Sequence, residues 1–131
     1  MANSSLVAAL VLLCLLPAAL AVDAAEEARR VEITADSYSF TPDRVVVRAG
    51  EPLEVVLTNE ALITPHNFVI HAPEAGIDVD VEIDGGPVTV RFTPARPGTY
   101  AFYCDKKLLF FKSHREKGME GALEVLPPSG E

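Results

Sequence analysis

Two imidazoles, a thiol and a thioether are the groups in this chain best suited to hold a metal. His66 opens the run Pro65-His66-Asn67-Phe68, while Cys104, His114 and Met119 lie close together near the C-terminal end. The chain has only three histidines and two cysteines, so any metal site draws on a small pool. Two imidazoles, a thiolate and a thioether form a soft, mixed nitrogen and sulfur set. Such a set suits copper cycling between Cu(I) and Cu(II), with three strong ligands in a trigonal arrangement and a weak axial Met. Zinc takes His and Cys but seldom Met, and calcium and magnesium need oxygen ligands. Taken singly, Cys104 reads as an ordinary buried cysteine and Met119 as core filling; it is their company that changes the reading. His71 reads as a polar residue at a strand end.

These residues must be positioned by one domain. The chain has 131 residues, of which 49% are hydrophobic and 23% charged, a globular composition. A formal charge of −8 argues against broad binding to nucleic acid, which needs a basic face. No G-x-x-x-x-G-K-[ST] or G-x-G-x-x-G loop is present, so nucleotide-binding chemistry has no support. Residues 1–21 carry no charged side chain; Leu6 to Leu16 is an apolar run, followed by Pro17 and then Ala19-Leu20-Ala21. That pattern predicts a signal peptide with a small-x-small cleavage site, although the first five residues lack Lys and Arg. The run is short for a bilayer span, which takes about 20 residues, so an uncleaved anchor is the less favoured reading. Lipid attachment at Cys14 is disfavoured by the large Leu13 before it. The expected mature protein starts at Val22, is exported (periplasmic in a Gram-negative bacterium), makes no stable membrane insertion and is monomeric. It keeps one cysteine, Cys104, in an oxidising compartment; a lone thiol there is buried and inert, paired between molecules, or bound to something.

Residues 22–30 read as a charged lead-in, 31–126 as the folded domain and 127–131 as a polar tail. Pro and Gly recur at 42, 50/52, 65, 73/76, 85–87, 94–98 and 118/121, which punctuates short strands and leaves little room for helices. The β-branched and aromatic runs between them number about eight: Val31–Thr34, Val45–Val47, Glu54–Leu57, Asn67–Ile70, Val79–Ile83, Val88–Phe92, Tyr100–Tyr103 and Ala122–Val125. The expected fold is all-β, a sequential antiparallel sandwich or Greek-key barrel. The acidic run Glu74, Asp78, Asp80, Glu82 and Asp84 alternates with Ile77, Val79, Val81 and Ile83 and reads as the solvent face of a strand. Phe92, Tyr100 and Phe102 read as core.

Several motifs resemble the cupredoxins, the small blue-copper proteins. They are Ser39-Phe40-Thr41-Pro42, Val45-Val46-Val47-Arg48-Ala49-Gly50-Glu51, Pro65-His66-Asn67-Phe68, Phe92-Thr93-Pro94, and Arg96-Pro97-Gly98-Thr99-Tyr100-Ala101-Phe102-Tyr103-Cys104. His114, Met119 and the closing Gly121-Ala122-Leu123-Glu124-Val125 complete the set, which spans Val31 to Leu126. The resemblance implies a Greek-key β-sandwich (cupredoxin-like), one copper ion in a type 1-like site at one end, and one-electron transfer to transient redox partners. It makes Cys104 the thiolate ligand, His66 the buried imidazole, Met119 the weak axial ligand, and His114 an imidazole whose ring edge reaches a surface. Asn67 would hydrogen-bond near the sulfur and across the ligand loops, the kind of outer contact that fixes metal geometry.

One spacing departs from the family. Nine residues separate Cys104 from His114, against about two to four in familiar members. The extra chain could bulge outward and leave a normal site, relax its geometry, or carry His114 away from the metal. Cys104 to Gly121 holds five basic and three acidic residues, whereas the rest of the sequence holds six and sixteen. This loop is therefore a positive patch on an acidic body, and Leu108, Leu109, Phe110 and Phe111 give it apolar side chains. Residues 106–117 could serve as a docking spot for a redox partner. The plainer expectation is that two or three of those four side chains pack into the sandwich end.

Electron transfer is one function this site could perform; copper delivery or oxidase assembly through the same ligands is a second, and a metal-free accessory module is a third. A two-copper centre would need another cysteine in the loop. An enzyme using a Cys104–His114 nucleophile pair lacks an orienting third group or an oxyanion site, so no enzymatic turnover is expected.

Overall fold

The computed structural model describes residues 27–130; the leader segment lies outside them. Nine strands form: β1 (Arg29–Asp36), β2 (Ser39–Thr41), β3 (Arg44–Arg48), β4 (Leu53–Asn59), β5 (His66–Ala72), β6 (Ile77–Ile83), β7 (Val88–Phe92), β8 (Gly98–Tyr103) and β9 (Glu120–Leu126). Single 3-10 turns occur at Pro73–Ala75 and Arg115–Lys117. Among the described residues no helix is long and apolar enough to cross a membrane.

The strands build two facing sheets, in the orders β2-β1-β4-β7 and β3-β9-β8-β5-β6. Pairing is not sequential and antiparallel throughout, as alternation alone suggested: β1 runs parallel to β4, and β3 runs parallel to β9. The chain crosses between sheets after β2, β3, β4, β6 and β7, so strands distant in sequence become neighbours. The additional strand is β2, three residues long; it pairs with β1 through Thr34–Thr41, Ala35–Phe40 and Asp36–Ser39. Strand β1 starts before Val31, with Arg29 and Arg30 already paired with Leu53 and Glu54.

Two-residue periodicity fills the space between the sheets. Val45 and Val47 point inward, while Val46 between them is 38% exposed. Phe40, Phe68 and Phe102 meet at the centre, with Phe68 stacked on Phe102 at 5.3 Å between ring centroids and Phe40 edge-on to both. Phe92 and Tyr100 pack against this cluster while only partly buried. Asp78, Asp80 and Glu82 lie exposed on β6, and His71 faces solvent beside Asp78, as the alternation predicts.

The aromatic centre dictates one glycine. Gly121 pairs with Phe102, and a Cβ at Gly121 would lie 2.3 Å from the Phe102 ring and 2.6 Å from the Asp43 carbonyl oxygen. Neither neighbour has room to retreat, because one is core and the other backbone. Gly121→Ala is expected to destabilise the protein by about 1–3 kcal/mol, the usual cost of overpacking, measured by chemical denaturation.

Candidate metal centre

Strand parity delivers two of the candidate residues. His66 is the first residue of β5 and shares the inward face with Phe68 and Ile70, so the alternation that buries those side chains also buries His66. Cys104 directly follows β8 and continues the inward face of Phe102. Val69 pairs with Tyr103, which brings the two ends together. The turn leading into His66 is organised by Asn59, whose side-chain amide donates to the Thr64 carbonyl at 3.0 Å and whose oxygen accepts from the Ala61 N–H at 2.9 Å.

His114 arrives by another route. Its N–H donates to the Lys106 carbonyl at 2.8 Å. That bond closes the base of the long loop, and residues 107–113 project beyond it. Two more backbone bonds lock the segment: Met119 N–H to His114 C=O at 3.0 Å, and Cys104 N–H to Met119 C=O at 3.2 Å. Gly118 takes the left-handed φ of 100° needed to turn the chain between His114 and Met119. Of the three outcomes open for the enlarged loop, the structure adopts the outward bulge that leaves His114 beside Cys104.

The result is a triangle of donor atoms. Cys104 Sγ lies 3.7 Å from His66 Nδ1 and 3.4 Å from His114 Nδ1, and the two Nδ1 atoms are 3.2 Å apart. All three residues are buried. A point equidistant from three atoms so spaced lies about 2 Å from each, close to metal–nitrogen and metal–sulfur bond lengths. A proton can bridge only one pair of these atoms at a time, whereas a cation at the centre engages all three lone pairs. The residues therefore fit a single soft metal ion. Met119 is fully buried in the core cluster that contains Cys104, and it adjoins the triangle through its backbone.

Asn67 ties the site together. Its N–H points at Cys104 Sγ (3.4 Å), its side-chain oxygen accepts from the Asp105 N–H (3.0 Å), and its amide donates to the carboxylates of Asp105 (2.8 Å) and Asp80 (3.1 Å). The other ring nitrogen of His66, Nε2, is buried without a hydrogen-bond partner among the described residues. Packing on β5 and an edge contact with the His114 ring, at 5.1 Å between centroids, hold the imidazole instead.

Burial sets the protonation of the metal-free site. It lowers the pKa values of both imidazoles; the neighbouring His114 adds to the effect at His66, and Lys117 and Lys106 add to it at His114. Burial pushes the Cys104 thiol up, against the N–H groups of Asn67 and Lys106, which favour the thiolate. An unfolded chain therefore takes up imidazole protons near pH 6.5 that the folded chain resists. Metal-free stability is expected to fall as pH drops through about 6.5, and also to fall above about 9, where only the unfolded thiol ionises readily. Denaturant midpoints measured from pH 5 to 10 check both slopes.

Three features of this end were not apparent in the sequence. Tyr38, in the turn between β1 and β2, packs edge-on against His114 at 5.1 Å. Lys117 donates to the Tyr38 hydroxyl at 3.3 Å, with its ammonium 4.4 Å from the ring centroid. His114 is consequently only 7% exposed, more covered than the family resemblance implied. Leu62 and Ile63, just before His66, are 99% and 94% exposed; an apolar pair inside a turn was the available signal. The loop residues correct an expectation: Leu108, Leu109, Phe110 and Phe111 do not enter the sandwich end but are all exposed, at 67%, 75%, 84% and 52%. The turn is held instead by its own backbone, with the Phe111 N–H donating to the Leu108 carbonyl at 3.0 Å.

A two-sheet sandwich with two imidazoles and a thiol converging at one buried end is the plan of a mononuclear copper domain. The sequence matches the Cupredoxin-like domain family over residues 5–119, and the chain belongs to that family of blue copper proteins. Plastocyanin from Ulva prolifera is 37% identical over 78 residues, covering 53% of this chain and 74% of the relative. A copper-containing nitrite reductase from Pseudomonas chlororaphis is 34% identical over 90 residues, which is 66% of this chain but only 24% of the reductase. The chain thus spans about a quarter of the length of the nitrite reductases it matches. Among solved structures, auracyanin from Roseiflexus castenholzii superposes with a TM-score of 0.59 at 21% identity, covering 77% of this chain and all of that one, a likeness of fold. The family's cofactor is copper, and His66, Cys104 and His114 form the group suited to a single ion.

Proposed function

We propose that this protein is an exported one-electron carrier, periplasmic in a Gram-negative bacterium, and that it acts without catalysing substrate turnover. His66 Nδ1, Cys104 Sγ and His114 Nδ1 would hold one copper ion, with Met119 as a weaker fourth ligand. Copper supplies the couple between Cu(I) and Cu(II), which gains or loses one electron without protein bond making. The chain's own contribution is a fixed cage. β5 and β8 anchor His66 and Cys104, the Lys106 carbonyl anchors His114, and Asn67 spans the strand ends. Such a cage prevents the ligands from rearranging when the charge changes, which keeps electron exchange fast.

The observation that carries this reading is the buried donor triangle, whose sides of 3.2–3.7 Å match one small ion. Transient redox partners would meet the loop end of the molecule, where Tyr38 stands between His114 and solvent. Visible and electron paramagnetic resonance spectra of the copper-loaded chain from Val22 test the proposal. An intense thiolate-to-copper band, weakened or shifted in His114→Ala, is expected. No band after Cu(II) addition to protein with a reduced thiol would sink it. Slow electron exchange with ready copper release to an acceptor would instead favour copper delivery.

A further inference from the structure

The copper end carries a surface that the donor site does not use. Leu62 and Ile63 on one loop, and Leu108 to Phe111 on another, flank a cleft of about 440 Å³ whose lining includes Ile63, Leu108 and Phe111. The tip is costly as built. Its apolar side chains face water, and Leu109 adopts a left-handed φ of 48°, which a leucine seldom takes. Phe110 and Phe111 stack on each other at 4.9 Å, not on the core. Lysines 106, 107, 112 and 117 line the same cleft. Lys106 pairs with Glu82, whereas Lys107 and Lys112 make no ion-pair contact among the described residues, with Glu116 acting on them only at longer range.

We propose that this end docks on an anionic lipid bilayer, with both apolar loops in the boundary between headgroups and acyl chains and the lysines at the phosphates. Three observations favour lipid over a protein face. The side chains protrude, to 99% exposure at Leu62, instead of forming a flat patch. They stand on either side of a cleft that a fluid surface fills and a rigid one bridges. The segment from Cys104 to Gly121 is net basic while the rest of the sequence is net acidic, so an anionic membrane favours approach by the lysine-bearing loop, even with Glu60 and Asp84 beside Leu62 and Ile63. Electron partners would then reside in or on that membrane. The inference rests on the surface and not on copper, so it can be tested with the metal-free chain.

Among the described residues every sheet strand and core residue lies between Arg29 and Leu126, so the chain from Val22 keeps all of them and omits the apolar run. It would be sedimented at low salt with vesicles of phosphatidylcholine alone or mixed equally with phosphatidylglycerol, both with and without copper. Binding to the anionic vesicles is expected to be at least about 25-fold tighter, about a fivefold gain coming from each of Lys107 and Lys112 at the surface. Lys107→Gln with Lys112→Gln should lose about 25-fold on anionic vesicles only. Phe110→Ser with Phe111→Ser should lose about tenfold or more on both. Circular dichroism should be unchanged in both variants, since none of the four side chains is buried. No vesicle binding, equal binding to both lipids, binding unchanged in both variants, or self-association that hides the same residues overturns the proposal. The visible band of the copper-loaded variants should match that of the parent, which separates failure here from failure of the copper reading.

Discussion

Replacing Cys104 with Ser is expected to remove the intense visible absorption of the copper-loaded protein and to weaken copper binding by more than about 100-fold. The sulfur is one of three donors in the triangle and the only soft anionic one. A serine hydroxyl is nearly the same size but hard, and it does not ionise at neutral pH, so a negative charge is lost from the centre. Losing contacts one layer further out already costs about 10- to 100-fold in metal affinity at comparable sites, so losing a ligand should cost more. The fold should survive. The introduced hydroxyl would be buried between His66 and His114, whose rings can accept its proton, so metal-free stability should drop by no more than about 1–2 kcal/mol. Competition titration against a chelator of known affinity reads the first effect and thermal melting of the metal-free chain reads the second. Unchanged affinity would mean that copper sits elsewhere or not at all.

Phe102→Ala should cost about 3–5 kcal/mol, a large part of the 5–15 kcal/mol that holds a domain of this size. Phe102 is 1% exposed, stacks on Phe68, receives the edge of Phe40 and covers Gly121. Removing the ring leaves a cavity that three strands would have to close at once. It also loosens the inward face that ends in Cys104, so copper affinity should fall along with stability. Guanidinium unfolding measures the loss; a change below about 1 kcal/mol would show that the aromatic trio is not the centre of the core.

Much of this arrangement was legible because it follows from side-chain type and parity. Val45 and Val47 inward with Val46 outward, and acidic residues on the outer face of β6, need only a period of two. That His66, Cys104 and His114 have the chemistry to share one metal ion was legible from residue type, and the structure brings these three together. Partnership between strands was not, since alternation fixes which face a residue takes and says nothing of its neighbour; hence the parallel pairing of β1 with β4 and of β3 with β9 went unseen. Ser39–Thr41 is too short to carry a period at all. The placement of His114 was open for a different reason: it depends on one backbone hydrogen bond to Lys106, and no side-chain pattern encodes that. Leu108 to Phe111 misled because hydrophobicity argues for burial, whereas a four-residue turn closed by its own backbone offers no core to enter.

The bond between Lys106 and His114 has one more effect. Seven residues lie outside it, and of these only Ser113 bonds back to the stem, where it caps the turn that follows His114. The excursion is thus a graft on a finished stem: it could be trimmed, lengthened or exchanged for another tip, and the metal-binding machinery beneath would keep its shape while the molecule acquired a different address.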